Sequence, residues 1–246
     1  MSNKVALVSG GAVRIGRAIS LGLAKEGFDV AIHYNASQRQ AVETKEEIER
    51  LGRKAEIFQA DLISPDAPAD LIKSVEAKFG SLSVLVNSAS TFPEPQAGRA
   101  SCSIEEETLS GWEETLAVNT RAPFFLIQAS ANLLKESQGL VVNILDSSVH
   151  NPYVSRAAHS ISKSALKSLT EIAAKTFLGS IRVNALELGA ILPPEGMPES
   201  EKEKFNWLGT EGVVSALLNL VNTPSINGEV LRIDGGQRLF SQTLHD

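Results

Sequence analysis

A chain of 246 residues with 43% hydrophobic content can bury a substantial core and is an ordinary length for one α/β domain. A formal net charge of −6 without a block of lysine or arginine argues against a nucleic-acid or anionic-membrane surface and points to small-molecule partners, with room left for a local basic pocket. The lone Cys102 can form neither an internal disulfide nor a cysteine metal centre, no apolar run approaches the ~20 residues of a membrane helix, and the first residues lead into a strand rather than a signal peptide. The expectations are a cytoplasmic protein with no metal site and no membrane or nucleic-acid partner.

The first apolar run, 5–8, reads as a strand. It is followed by the turn Ser9-Gly10-Gly11-Ala12-Val13-Arg14-Ile15-Gly16, and from near Arg14 the apolar positions recur at three and four, as in a helix. Glycines let such a turn approach a ligand closely, and the free N–H groups at the helix start attract phosphate. Turns of this kind also arise for conformational reasons alone, so Gly10 and Gly16 gain weight only from the company of other polar strand ends.

Strand 30–34, the charged amphipathic helix 38–51, strand 54–59 and helix 67–79 continue the alternation. Strand 84–86 runs into Asn87-Ser88-Ala89-Ser90, the segment 91–100 with Pro93, Pro95 and Gly98 reads as a loop, and 112–134 as one long helix carrying Asn119. Strand 140–145 ends at Asp146; helix 157–177, strand 181–186, a polar proline-bearing lid over 193–206, helix 211–221 and strand 229–233 complete the chain. Nearly all-apolar strands alternating with helices predict a Rossmann-type, doubly wound, seven-stranded parallel sheet in a single domain spanning 1–246, with ligands bound past the strands' carboxyl ends. Gly10, Asp61, Asn87, Asp146 and Gly189 all fall on that rim, which favours a dinucleotide site.

Over 4–238 the chain resembles the short-chain dehydrogenase/reductase superfamily and, within it, is similar to the pteridine reductases. The likeness rests on Ser9-Gly10 through Gly16 with Arg14 in the middle, Asp61-Leu62, Asn87-Ser88-Ala89-Ser90, Asn119, Lys163 and Asp234-Gly235-Gly236. It implies a cofactor held by Gly10, Ile15, Gly16, Asp61, Leu62, Asn87, Ser88, Ala89, Lys163, Gly189 and Ile191, with a lid at about 193–208. It also implies substrate placement by Ser90 and Phe92, the latter stacking on a pterin ring where simple core packing is the alternative, and assembly into a homodimer or homotetramer through the helices at 112–134 and 157–177.

The choice of cofactor follows from charge. NAD-specific folds of this kind place a carboxylate at the end of the second strand, whereas His33, Tyr34, Asn35 and Ser37 stand there, and Arg14 supplies a cationic fork suited to a 2′-phosphate unless it is merely solvated. NADP(H) is the expectation.

One departure from the family pattern bears on the chemistry: four residues before Lys163, where the family carries its proton-donating tyrosine, stands His159. Positions 159 and 163 share a helix face, and imidazole is a competent general acid, although it reaches less far than a phenol and a neighbouring Lys163 disfavours its charged form. Asp146, which by resemblance takes part in proton transfer to a pterin, and Tyr153 in the loop before the helix are the other candidates; His150 reads as a surface residue. Glu187 replaces a small residue near the nicotinamide end, its orientation open. Two readings result: an NADPH-dependent reductase of a carbonyl or pterin-like substrate with an atypical site, or a catalytically silent nucleotide-binding protein of the same fold.

Overall fold

Val5–Ser9 forms β1 with all five side chains buried, Ala6 and Val8 facing one layer of core and Val5 and Leu7 the other. An apolar strand covered on both sides is what an interior parallel strand requires. The computed structural model describes residues 4–92, 103–194 and 196–239. After β1 come α1 (Arg14–Lys25), β2 (Asp29–Tyr34), α2 (Gln38–Arg50), β3 (Ala55–Gln59), α3 (Ala67–Phe79) and β4 (Val84–Asn87). Then follow α4 (Leu109–Leu116), a π-helical turn (Ala117–Arg121), α5 (Ala122–Glu136), β5 (Leu140–Asp146), α6 (Ala157–Thr176), β6 (Arg182–Leu188), α7 (Glu199–Lys202), α8 (Glu211–Asn222) and β7 (Val230–Ile233).

The seven strands make one sheet in the order β3-β2-β1-β4-β5-β6-β7, every pairing parallel. This is the doubly wound architecture expected from the alternation of elements. Ile19 and Leu23 of α1, Ala41 and Ile48 of α2, and Val213, Leu217 and Leu220 of α8 fill one layer. Leu71 and Val75 of α3, Leu126 and Leu134 of α5, and Leu166 of α6 fill the other. Strand order reverses between β1 and β4, and the ends of those two strands open the crevice where such sheets bind ligands.

Two boundaries differ from the sequence reading in ways that matter. The helix expected over 112–134 is instead α4, the π turn and α5, because one turn widened to i→i+5 bonding separates them. The lid contains one helical turn, α7, started by Pro198 and bearing Glu199 and Glu201 at its amino end. The expected loop from Pro93 through Pro95 and Gly98, with Cys102, lies outside the described residues, as does Glu195.

Candidate active site

The glycine turn is shaped by contacts that leave no room for side chains. Gly10 takes φ +64°, and a Cβ there would sit 3.0 Å from Ala89 Cα; a Cβ on Gly16 would lie 2.0 Å from the Gly10 carbonyl oxygen. The N–H groups of Ile15 and Gly16, in the first turn of α1, meet no acceptor among the described residues. A backbone cradle with unpaired donors at a helix start fits a pyrophosphate. Ser9, behind it, accepts from the N–H of Ser88 and of Ala89, both at 3.0 Å, and so fixes the β1 end to the β4 end.

His33 has a different place from the one expected. It is 2% exposed; its Nδ1 accepts from Gly10 N–H at 3.0 Å, which leaves Nε2 to donate to the Ala60 carbonyl at 3.0 Å. Tyr34 is likewise buried, in the α1/α2 layer of core. Both side chains are buried, His33 against the Gly10 turn and Tyr34 in that core layer, and only Asn35 and Ser37 of that group remain accessible. Arg14 is exposed at φ +50° and its guanidinium donates to the Pro193 carbonyl at 3.0 Å, at the start of the lid.

His33 therefore acts as a brace for the turn, and acid should loosen it. Burial holds the imidazole below its ordinary 6.5, against the opposing pull of the Ala60 carbonyl. The stability it gives is full above about pH 6.5 and is lost as pH falls, because the unfolded chain takes up a proton that the folded turn refuses. We expect urea midpoints to drop between about pH 8 and about pH 5.5, and His33→Gln to flatten that drop; an unchanged slope would contradict the brace.

Past β3, Asp61 is exposed with its Oδ1 accepting from Ile63 N–H at 3.0 Å, while Leu62 is buried. Asn87 is 2% exposed and donates to Asn143 Oδ1 at 2.8 Å, and its own Oδ1 is buried with no partner. Gly189 and Ile191 follow β6, Gly189 closed against Asp234 and Gln237.

The polar groups expected to carry chemistry converge between β5 and α6. Asp146 ends β5, and its Oδ2 lies 2.6 Å from His159 Nε2. His159 Nδ1 lies 3.1 Å from the Thr91 carbonyl and 3.4 Å from Asn119 Nδ2, so the ring is held at both nitrogens. Ser148 donates from its N–H at 3.0 Å and from its hydroxyl to the other Asp146 oxygen. Burial alone would push the Asp146 carboxyl up, yet the His159 hydrogen bond, the Lys163 charge and Ser148 hold it well below the usual carboxylate range. Lys163 is 4% exposed, donates to the Ile144 carbonyl at 3.0 Å, and is pushed down by burial while Asp146 opposes that shift.

Asn119, in the π turn, spends its whole amide on fastening the site. Its Oδ1 accepts from Thr91 N–H at 2.8 Å and Ser90 Oγ at 3.2 Å, and its Nδ2 donates to the Thr91 carbonyl and Ser162 Oγ, both at 3.0 Å. Tyr153, from a loop, stacks on His159 with ring centroids 6.4 Å apart and planes 9° from parallel, its hydroxyl 2.7 Å from Ser147 Oγ. Burial and the Asp146 charge push that phenol up to about 12. Phe92, half-exposed, sets its ring edge-on to His159 at 4.7 Å and to Tyr153 at 6.4 Å.

The partners of Glu187 and His150, and the place of Arg156, were not readable from the sequence. Glu187, 2% exposed, is gripped by Arg232 through both carboxylate oxygens (2.7 and 3.2 Å) and also meets His150 Nε2 at 2.9 Å, so His150 is tied to β6 although half its side chain is open. Arg156 lies with its guanidinium carbon 5.2 Å from the Phe92 ring centroid. A basic residue just before a helix gives no signal of either arrangement in sequence.

The short chain dehydrogenase family model matches residues 4–204. A 3-oxoacyl-[acyl-carrier-protein] reductase of Staphylococcus aureus is 34% identical over 248 residues, covering 95% of this chain and 97% of that protein. Among solved structures, the FolM alternative dihydrofolate reductase 1 of Brucella canis, complexed with NADP, superposes with a TM-score of 0.87 at 32% identity, covering 99% of this chain and 97% of that one. A short chain dehydrogenase of Burkholderia cenocepacia in complex with NADP gives a TM-score of 0.86 at 32% identity, covering 96% and 98%.

Proposed function

The chain belongs to the short chain dehydrogenase family, and from that premise we propose that it is an NADPH-dependent oxidoreductase that reduces a carbonyl or pterin-like substrate. The observation that carries the reading is the 2.6 Å contact of Asp146 with His159 beside Lys163, a proton-bearing pair at the β5 end where the reaction needs one. The likeness to the FolM reductases, 32% identical across nearly the whole chain, supports the pterin side of it.

NADPH, when bound, supplies the hydride. The Gly10–Gly16 cradle receives its pyrophosphate, Asp61 and Leu62 flank the adenine, Asn87, Ser88 and Ala89 line the middle, and Lys163 with Gly189 and Ile191 holds the nicotinamide end. The 2′-phosphate is met by Arg14, exposed at the start of α1, and by Asn35 and Ser37 at the start of α2, where the Ser37 hydroxyl makes no capping bond and Arg39 adds an exposed cation. Ser90 and Phe92 place the substrate. His159 is too enclosed to touch it, so a proton shared across the 2.6 Å contact reaches the substrate by way of Asp146, which is a quarter exposed and is left as the carboxylate. Tyr153, with its pKa raised, orients the imidazole. A homodimer or homotetramer through α5 and α6 accords with the half-exposed Phe124, Phe125, Ile161 and Ile172. The chain acts as a single domain.

Titrating the protein with NADPH, then following NADPH oxidation with dihydrofolate, dihydropterins, quinones and diketones, tests the reading. Turnover of any one supports it; tight binding without oxidation throughout marks a silent nucleotide-binding protein instead. A carboxylate placed at the 2′-phosphate seat should invert cofactor choice. Ser37→Glu is expected to weaken NADPH by about tenfold or more while leaving NADH within a few-fold, read as dissociation constants.

A further inference from the structure

The described arginines divide sharply by how their charge is met. Arg17, Arg39, Arg50, Arg53, Arg232 and Arg238 each face a carboxylate; Arg182 donates to four carbonyls; Arg14 and Arg121 each reach a carbonyl far away in sequence. Arg156 has none of these. Its Nη1 donates to the carbonyl of its own neighbour, Ser155, at 3.0 Å, its Nε is buried with no partner, and its charge rests on the face of Phe92. A partly buried guanidinium without a counter-ion is costly, and such groups in folded proteins are nearly always paired.

The surroundings say where the missing anion would sit. Phe92 is edge-on to His159, which contacts Asp146, so Arg156 stands one ring away from the proton-bearing pair. The lid carries Glu199, Glu201 and Glu203, and the protein's net charge is −6, so an anion approaching the crevice is drawn to this wall and not to the lid. A planar fork matches a planar carboxylate in bidentate geometry.

We propose that Arg156 is a specificity-determining residue that binds a carboxylate carried by the substrate beside the group being reduced. The inference rests on the oxidoreductase reading above and narrows its substrate to an acid. The test uses ligand pairs differing only in that charge, pterin-6-carboxylate against 6-hydroxymethylpterin and benzoylformate against its methyl ester, titrated into the complex with NADP+. In at least one pair the acid should bind wild type about tenfold or more tighter than its neutral partner. Arg156→Gln should shrink that ratio to within about twofold and Arg156→Lys should leave it intermediate, with circular dichroism showing both variants folded. Equal binding of acid and neutral ligand by wild type, a preference that survives in Arg156→Gln, or no binding of either pair would overturn the inference alone. Failure of wild type to bind NADP+, read before any ligand is added, would overturn the oxidoreductase reading and this inference with it.

Discussion

Asp146→Asn should lower kcat for the reduction by about a hundredfold to ten-thousandfold, the range lost when a positioned general acid is removed. The amide keeps the size of the carboxyl and can still accept from the Ser148 N–H, so the end of β5 holds its shape. What it cannot do is share a proton with His159 Nε2 across 2.6 Å, and the ring loses its carboxylate partner. The Gly10–Gly16 turn lies across β4 from this residue, and NADPH affinity is expected to stay within about threefold, so that the loss falls on kcat and not on cofactor binding. Steady-state kinetics beside a fluorescence titration reads both. An Asp146→Asn enzyme that retains more than about a third of its kcat would place the proton elsewhere, with the Tyr153 hydroxyl, bonded to Ser147 Oγ, the next group to test.

Gly16→Ala carries the largest expected effect on stability. The added Cβ would lie 2.0 Å from the Gly10 oxygen and 2.8 Å from the Gly10 carbonyl carbon, and these are backbone atoms that cannot swing aside. Relief requires α1 and the β1 end to separate, and α1 is fixed by Ile19 and Leu23 in the core and by Ser20 Oγ donating to the Gly11 carbonyl at 3.0 Å. A loss of about 3 kcal/mol is expected, at the upper end of overpacking costs, or roughly 6–12 °C in Tm for a chain of this size. NADPH binding should fall below detection, since the same movement removes the Ile15 and Gly16 donors. Gly52→Ala is the control: its φ is +78° but its Cβ meets nothing within 4 Å, so it should cost only about 1 kcal/mol of backbone strain. If the two variants melt alike, the close approach at Gly16 is not what shapes the turn.

The strands and their parallel order were legible because each is an unbroken apolar run, and interior strands of a covered sheet admit little else; β1, β2, β4 and β5 are nearly wholly buried. The Gly10 turn was legible for the same kind of reason, a steric demand that few residues meet. Orientation was not. His33 and Tyr34 sit at the end of β2, beyond its register with β1 and paired with β3 alone, and their burial there depends on the Gly10 turn and the Ala60 carbonyl, which come from other elements. Arg14 carries a flexible side chain whose partner, the Pro193 carbonyl, is 179 residues away. The stacking of Tyr153 on His159 and the Glu187–Arg232–His150 cluster likewise join separate elements, and no local periodicity encodes them. The Asp146, His159 and Lys163 grouping was readable because 159 and 163 share a helix face and 146 ends the strand that helix covers.

The π turn at Ala117–Arg121 has a consequence for which changes of length the chain tolerates. An ordinary helix advances about 100° per residue, so the residue accommodated there sets α5 out of phase with α4 by that angle. Removing one residue would heal the hydrogen-bond ladder but leave the molecule to choose which half turns. Either Asn119 swings off Thr91 and Ser162, or Leu126, Ile127 and Leu134 rotate out of the interior. The irregular winding and the inward amide are thus a single inherited unit, and a deletion that restored regular helix would take both.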